Sequence, residues 1–425
     1  MAQSHQLVTA STGTTPHLEP IDPAQRIKAV DMVRGFTLFG VLLVNMYNFG
    51  ASSPIWTDEI DQLAFSAKQF FFETKSWRLF SLLFGFGFAL WMLRADEKGT
   101  MLLPIYVRRL AILFVIGMGH VLLYDGDILM VYAELGLVLV LFRKLSPNAL
   151  LILAGVLLAV FPVERAVTTL RQSPDIVLQA KPFLEQERVK IELRRSTHPY
   201  SVGSVWDVMA FNAGDIPPNP FTDLRGTESS LAYFAMFLIG LYIGRRRILH
   251  DIQKHLGLIR LVAWWGLSVG LLCMVGERIL NATAGYEVFR DQRATLIPQL
   301  FGDVLFAYGS TALSLGYAAL IVVLARHPRW KNILTPLGSV GRLALTVYLT
   351  QTLMFTTLFY GYAFGQVFRI GPAAVTVYAV LFFAIQIVLC DWWVRRFRFG
   401  PMEWLWRSLT YMRIQPIRLR HEADH

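Results

Sequence analysis

The chain has 425 residues, of which 54% are hydrophobic and only 16% are charged. Because soluble globular proteins are roughly one quarter charged, this composition excludes an ordinary soluble enzyme, a disordered protein and a secreted disulfide scaffold. The net charge of +10 alone would fit a nucleic-acid-binding protein, but its distribution favours a membrane protein with no nucleic-acid partner.

Residues 1–25 are polar, rich in Ser and Thr, and lack the apolar stretch of a secretory signal, so they predict a disordered tail. About ten apolar segments follow, each long enough for a helix across the ~30 Å hydrocarbon core of a membrane. They lie at about 28–48, 77–93, 104–124, 127–143, 147–165, 230–247, 257–276, 299–325, 338–360 and 372–394. The predicted fold class is all-α: a polytopic transmembrane helix bundle with one long extracytoplasmic loop. The segment 63–76 is expected to extend the second span or to lie in the interface.

The Lys and Arg residues predict the orientation, because short cytoplasmic loops carry an excess of both. With the N-terminus in the cytoplasm, the cytoplasmic segments carry far more Lys and Arg than the short outer loops, so both termini are predicted to be cytoplasmic. The chain then divides into a tail (1–25), a first transmembrane half of about five spans (26–165), an extracytoplasmic loop or cap (166–229), a second half of about five spans (230–396) and a basic cytoplasmic C-terminal segment (397–425).

The long outer loop contains the stretch SVGSVWDVMAF, which predicts an amphipathic helix. A loop of this length in a compact protein is either a structural cap over the bundle or a functional lid. Both interpretations stay open at this point.

Glycine motifs in the apolar segments predict close helix packing. GLSVG at 266–270 matches the nucleophile elbow, but no strand precedes it, so it is interpreted as a chance match. Gly240 with Gly244, and Gly361 with Gly365, form GxxxG patterns that predict helix contacts. The two cysteines lie in separate apolar runs, so neither a disulfide framework nor a metal site is expected.

Ionisable residues at membrane depth are costly, so each predicts a partner or a cavity. Asp31 and Arg34 are three positions apart in the first span and form either an internal ion pair or a functional pair. Glu134 lies near the middle of the fourth span, where it is either paired or titrates in a cavity. His120, near the outer end of the third span, is either a satisfied structural residue or a general base.

Polar side chains are predicted to gather at the outer ends of the first four spans. His120 and Asp125 have an H-x4-D spacing, which is a weak signal because residues five apart on a helix differ by roughly 140°. Asp127 either caps the fourth span or belongs to the same site. The other members are Asn45, Asn48, Trp77, Arg78 and Tyr124. Such a pocket could hold a polar substrate and a general base.

Several stretches resemble landmarks of the bacterial YeiB family. RIKAVDMVRGFTLFGVLLVNMYNFG resembles its opening, and GMGHVLLYDGDIL, FLIGLYIGRR and VGRLALTVYLTQTL resemble later landmarks. WWVRRFRFGPMEWLWRSLTY resembles its C-terminal signature, so the resemblance covers about residues 26 to 411. The family is a bacterial inner-membrane family with a domain of unknown function. It is similar, more distantly, to transmembrane acyltransferases such as heparan-α-glucosaminide N-acetyltransferase.

The resemblance implies a multi-pass protein of the bacterial inner membrane and an acyl-CoA donor. It also implies a functional role for Asn45, which falls on a functional Asn of that enzyme. The enzyme carries its catalytic His in the following outer loop, which reads MYNFGASSPIWTDEIDQ and has no His in this chain. This departure leaves His120 as the residue expected to take its place.

The first hypothesis is a membrane acyltransferase that moves an acyl group from cytosolic acetyl-CoA, or another acyl-CoA, to an extracytoplasmic amine or hydroxyl of a sugar or small molecule. His120, oriented by Asp125 or Asp127, would be the general base, and Asn45 would donate to the oxyanion. The predicted substrate- and acyl-CoA-binding residues are Arg34, Asp31, Arg108, Arg109, Arg342, Glu134, Trp77 and Arg78.

Two other classes of function remain open from the sequence. A transporter or a small-molecule-binding membrane protein without chemistry would use Glu134 for proton coupling, although no inverted repeat is evident. A structural or signalling scaffold would use its polar residues only to hold helices together. Membrane lipids are expected partners in each case, and a homo-oligomer is left open.

Overall fold

The computed structural model describes residues 27–50, 56, 58–98, 103–171, 193–214, 216, 228–287 and 296–419. The predicted tail, residues 1–25, lies outside the described residues. Every regular element in the described residues is a helix, and the one isolated β-bridge among them joins Phe397 to Arg418. The predicted all-α class is confirmed.

Fifteen α-helices are numbered here in chain order. They are α1 (Lys28–Gly50), α2 (Glu59–Phe71), α3 (Lys75–Lys98), α4 (Leu103–Val121), α5 (Leu129–Leu139), α6 (Pro147–Arg171), α7 (Pro199–Val202), α8 (Val205–Gly214), α9 (Glu228–Arg245), α10 (Leu256–Glu287), α11 (Leu296–Leu324), α12 (Pro328–Arg342), α13 (Ala344–Phe359), α14 (Pro372–Val394) and α15 (Pro401–Tyr411).

Seven of the helical stretches are long and apolar enough to cross a membrane, and the number rises to eight if α12 and α13 form one bent span. These are the helices of a multi-pass membrane protein. Two shorter apolar helices, Leu129–Phe142 and Ser230–Arg245, coincide with two further predicted segments. Each of the predicted segments therefore contains a helix, while the number of crossings stays a prediction.

The predicted segment 63–76 spans the end of one helix and the start of the next. α2 ends at Phe71, and α3 begins at Lys75. Thr74, just before α3, has a positive φ of 63°. α2 and α3 together form one apolar stretch, Glu59–Arg94.

Close packing of α3 against α9 depends on glycines. A Cβ on Gly85 would meet the backbone carbonyl of Phe237, and one on Gly240 would meet the carbonyl of Leu82. A Cβ on Gly244 would meet Ala89 of α3, so the helix contact predicted for this GxxxG pair is confirmed.

The second GxxxG pattern has another role, and its prediction as a helix contact is wrong. Gly361 and Gly365 lie in the turn after α13, where Gly361 packs on the backbone of Ser201. Gly365 has a φ of +61°, which a residue with a side chain rarely adopts. A spacing of four cannot distinguish a helix face from such a turn.

α12 and α13 meet at an angle of 81°. Glu403 of α15 caps the start of α13: its Oε1 accepts from the amides of Leu345 (2.6 Å) and Thr346 (3.0 Å). Its Oε2 accepts from the Thr346 hydroxyl at 2.6 Å. A carboxylate satisfies the free amides of a helix start and complements its positive dipole end. The break places Arg342 at a helix end inside the bundle.

The described part of the predicted outer loop packs on the ends of α4 and α13. The helix predicted there is present as α8, but its predicted amphipathic character is not confirmed, because Trp206 and Phe211 are exposed while Val208 is buried. The side chain of Asn212 in α8 donates to the carbonyl of Leu122 (3.1 Å) and accepts from the hydroxyl of Tyr200 (2.6 Å). The ring of Tyr200 stacks on Tyr360, with centroids 4.6 Å apart. These contacts form a cover over the end of α4.

Candidate functional site

A cavity of about 320 Å³ lies among α1, α3, α4, α5, the α12–α13 break and α15. This volume falls at the lower end of the range for ligand pockets. Most of its wall is apolar or aromatic, because large apolar side chains of these helices face the space between them. Wall residues include Leu38, Val41, Phe80, Leu83, Leu110 and Leu113.

One end of the cavity is strongly basic. Its basic side chains are Arg34, Arg94, Arg109, His250, Arg342 and Arg407. They come together because α1 and α4 begin at this end of the bundle, and α3 and α12 finish there. We call this group the basic mouth. Five guanidinium groups around one opening favour an anionic ligand, since arginine binds carboxylates and phosphates through paired hydrogen bonds.

The two acidic residues that line the cavity leave the mouth with an excess of positive charge. Asp31 pairs with Arg34, with 3.0 Å between the carboxylate and the guanidinium, so the predicted ion pair is present. Glu403 is engaged in the cap of α13. The guanidinium of Arg109 lies 3.9 Å from the ring centroid of Trp406, which fixes its direction through a cation–π contact.

The other end of the cavity is lined by hydrogen-bonded aromatic residues. The Tyr132 hydroxyl is paired with the Ser81 hydroxyl (2.8 Å) and donates to the carbonyl of Trp77 (3.0 Å). Tyr348 also lines the cavity, and its ring centroid lies 4.9 Å from that of His120. The cavity therefore ends one aromatic ring away from His120.

His120 is buried in a chain of three hydrogen-bonding side chains, which we call the His120 chain. Its Nδ1 lies 2.7 Å from Oδ1 of Asp127, and its Nε2 lies 2.8 Å from the hydroxyl oxygen of Thr352. The other carboxylate oxygen of Asp127 accepts from the amide of Met130 at 2.9 Å, which caps α5. Asp127 thus has both predicted roles, cap and partner of His120.

The carboxylate determines the direction of hydrogen bonding in the His120 chain. An ionised Asp127 can only accept, so Nδ1 of His120 carries the proton and donates it. In the neutral imidazole with its proton on Nδ1, Nε2 is free of a proton and can accept from the hydroxyl of Thr352. That neutral tautomer is the one that a general base needs.

Asp125 and Asn45 are the other two residues of the predicted catalytic set. Asp125 is exposed in the turn between α4 and α5, and Asp127 is the carboxylate that contacts Nδ1 of His120. Asn45 is buried in α1, and its side-chain carbonyl oxygen has no hydrogen-bond partner among the described residues. Buried polar atoms without a partner are rare, and a catalytic role is one of the explanations for them.

Three residues of the predicted substrate-binding set do not line the cavity. Arg78 is buried against α11, where it donates to the carbonyl of Ala307 (2.6 Å) and the hydroxyl of Thr311 (2.8 Å). Arg108 is exposed and donates to the carbonyl of Thr410 at 3.2 Å, and Glu134 is buried within α5. Each of these three residues therefore lies on a helix face turned away from this cavity, and each of the two arginines has acceptors of its own. Their role in substrate binding stays a prediction. Asp31, Arg34, Trp77, Arg109 and Arg342 do line the cavity.

Sequence reasoning missed the residues that join the two parts of the site, Tyr348 and Thr352. Both lie in the stretch LTVYLTQT of α13, whose polar residues interrupt an apolar run. A threonine in a membrane helix usually donates to its own backbone, so the pattern alone does not single out Thr352. Among the described residues, no group of three or more His, Cys, Asp or Glu is placed to hold a metal ion.

Comparisons with known proteins identify the family. The model of a family described as protein of unknown function (DUF418) matches residues 243–413. The uncharacterized protein YxaH of Bacillus subtilis (strain 168) is 35% identical over 425 residues, covering 94% of this chain and 98% of that protein. The uncharacterized protein YeiB of Escherichia coli (strain K12) is 27% identical over 416 residues, covering 91% and 96%. No solved structure matches the chain significantly. The resemblance predicted from the landmarks is confirmed: the chain belongs to the YeiB family, DUF418.

Proposed function

We propose that this protein is an integral-membrane acyltransferase that moves an acyl group from cytosolic acyl-CoA to an amine or hydroxyl on the far side of the membrane. The observation that carries the proposal is continuity: a basic mouth opens into an apolar cavity, which ends at Tyr348 beside His120. A polyanionic thioester donor would use the basic mouth and the apolar cavity, and His120 would be the general base at the opposite end.

Acyl-CoA suits the basic charge and the apolar lining of the cavity. Its phosphates would lie at the basic mouth, where Arg34, Arg109 and Arg342 offer charge-assisted hydrogen bonds. Its pantetheine arm and acyl chain would follow the apolar wall toward Tyr348. Acetyl-CoA and longer acyl-CoAs are both donors of this kind, and the acceptor is a sugar or another small molecule.

The His120 chain would supply the acid–base chemistry. His120, with Asp127 behind it, would take a proton from the attacking group and return it to the leaving group. Asn45 is the proposed hydrogen-bond donor to the developing oxyanion, as the resemblance implies. No metal has a part in this scheme.

The proposed function requires an orientation. We place the basic mouth in the cytoplasm, where the positive-inside rule puts the arginine-rich helix ends. About ten crossings with both termini cytoplasmic, in the bacterial inner membrane, would then carry the His120 chain to the outer half of the bilayer. The segment 166–229 would form the extracytoplasmic cap between two transmembrane halves.

The test compares two adjacent arginines, in the full-length protein in lipid nanodiscs. Arg109→Gln removes a guanidinium of the basic mouth, whereas Arg108→Gln removes one outside the cavity. A hydrogen bond to a charged group contributes about 1.5–3 kcal/mol, so Arg109→Gln is expected to weaken acetyl-CoA binding by about 10- to 150-fold. Arg108→Gln is expected to leave it unchanged.

Calorimetry with acetyl-CoA and octanoyl-CoA measures both affinities, and a thiol reagent measures the CoA released. The proposal would be contradicted if neither acetyl-CoA nor octanoyl-CoA binds to the unmodified protein. The next experiment would then be uptake into proteoliposomes, because the transporter hypothesis would stand in its place.

A further inference from the structure

Thr352 is unlike the three threonines nearest to it in α13. The hydroxyl of Thr356 donates to the carbonyl of Leu353 at 3.1 Å, and that of Thr357 donates to the same carbonyl at 2.7 Å. Thr350 likewise donates to its own helix, at 2.9 Å. The hydroxyl of Thr352 lies instead 2.8 Å from Nε2 of His120, a residue 232 positions earlier in the chain.

The three side chains of the His120 chain have the order hydroxyl, imidazole, carboxylate. Nδ1 of His120 lies 2.7 Å from Oδ1 of Asp127, and Nε2 lies 2.8 Å from the hydroxyl oxygen of Thr352. All three side chains are shielded from solvent, and the Asp127 side chain has no exposed surface. Hydrolases and transferases on unrelated folds use this arrangement to activate a hydroxyl nucleophile.

We propose that Thr352 is the nucleophile of a two-step acyl transfer and carries the acyl group as a threonine ester. The inference rests on the proposed function, since it needs a thioester donor in the cavity. It goes further by dividing the transfer into two reactions. Free CoA leaves after the first reaction, before the acceptor reacts.

Both steps balance with the groups present. In the first, Oγ1 of Thr352 forms a bond with the thioester carbonyl carbon, and the carbon–sulfur bond breaks. The hydroxyl proton passes to Nε2 of His120 and then to the departing CoA sulfur, which leaves as a thiol. In the second, the nitrogen or oxygen of the acceptor forms a bond with the ester carbonyl carbon, and the bond between that carbon and Oγ1 of Thr352 breaks. The acceptor proton passes through His120 to Oγ1, which becomes a hydroxyl again.

Tyr348 connects the nucleophile to the cavity. It precedes Thr352 by four positions, so both side chains lie on one face of α13. The Tyr348 ring lines the cavity and contacts the ring of His120. Rotation of this one side chain would bring the end of the cavity to the Thr352 hydroxyl. A thioester carbonyl at the cavity end would then be within reach of attack.

The test follows the covalent ester in the full-length protein in nanodiscs. The protein is mixed with acetyl-CoA, quenched in acid and measured by intact-mass and peptide mass spectrometry. An acetyl group is expected on the peptide that contains Thr352. Thr352→Val is expected to abolish it and to reduce CoA release by at least about 1000-fold, and Thr352→Ser to retain both. Thr356→Val, a buried threonine one turn later, is the matched control.

The outcomes separate this inference from the proposed function. If Thr352→Val binds acetyl-CoA, melts like the unmodified protein and still releases CoA at the normal rate, Thr352 is not the nucleophile and the acyltransferase proposal stands. If the unmodified protein neither binds acetyl-CoA nor releases CoA, both proposals fail. An acetyl group found on another residue would also overturn the role of Thr352.

Discussion

Gly87 offers a way to fill the cavity without disturbing the helix that carries it. Gly87 lines the cavity, and a Cβ built on it meets no atom within 4 Å. Two residues earlier, a Cβ on Gly85 would collide with the backbone of Phe237. Gly87→Leu therefore introduces about four carbons into the space proposed for the acyl chain, whereas the same change at Gly85 would separate α3 from α9.

The expected loss of acyl-CoA affinity in Gly87→Leu follows from the number of acyl-chain methylenes that the leucine displaces. Each buried methylene contributes about 0.8 kcal/mol, so loss of about four costs about 3 kcal/mol. Binding of an acyl-CoA whose chain fills this space should weaken by about 100- to 200-fold. Acetyl-CoA has no such chain and should lose much less. Leucine also has a higher helix propensity than glycine, by roughly 0.5–1 kcal/mol, so Gly87→Leu should not unfold α3.

The assay compares octanoyl-CoA with acetyl-CoA on the same purified proteins by calorimetry. Gly155→Leu is the matched control, because a Cβ there also meets open space and Gly155 does not line the cavity. We expect Gly155→Leu to bind both ligands normally, and Gly87→Leu to lose octanoyl-CoA selectively. Equal affinity of Gly87→Leu and the unmodified protein for octanoyl-CoA would refute the placement of the acyl chain in this cavity.

Three further predictions concern the elements that hold the site. Glu403→Gln should lower stability by about 1–3 kcal/mol, seen as a lower melting temperature, because the cap of α13 loses its charge; an unchanged melting temperature would contradict this. Gly35→Ala should lower stability by about 1–3 kcal/mol, because its Cβ would clash with a backbone carbonyl of α12. Gly338→Ala is the control, since its Cβ would make only an ordinary contact at 3.6 Å and should leave stability unchanged. Equal melting temperatures of the two variants would contradict this prediction. Asp127→Asn should retain acetyl-CoA binding but reduce CoA release by about 1000-fold or more, because an amide can donate as well as accept and no longer fixes the tautomer of His120. A normal rate of CoA release would exclude that role for Asp127.

The sequence was sufficient to predict the features that depend on residues close together along the chain. Long apolar runs predict membrane helices because each crossing must bury about 20 residues in hydrocarbon. The pairing of Asp31 with Arg34 was open to prediction because residues three apart share a helix face. His120 was predicted near the outer end of the third span and Asp127 at the start of the fourth, and the structure pairs them across the turn between the two helices.

Two neighbouring glycines of α3 show what a local sequence pattern cannot predict. Gly85 and Gly87 belong to one short motif, GFGFAL, yet the first packs on a neighbouring helix and the second faces the cavity. Successive residues of a helix point about 100° apart, so two positions are enough to change the neighbour. Which neighbour each glycine meets depends on how α3 lies against α9.

The sequence by itself determined the class, the membrane setting and the family, because hydrophobicity and landmarks are written in consecutive residues. Tertiary structure alone decided that Thr352 meets His120 across 232 positions, and that Arg109 enters the basic mouth while its neighbour Arg108 stays outside. Contacts of this kind arise when helices pack, and no spacing along the chain encodes them. The proposed nucleophile and the cavity that leads to it therefore became visible only when α4, α5 and α13 were brought together.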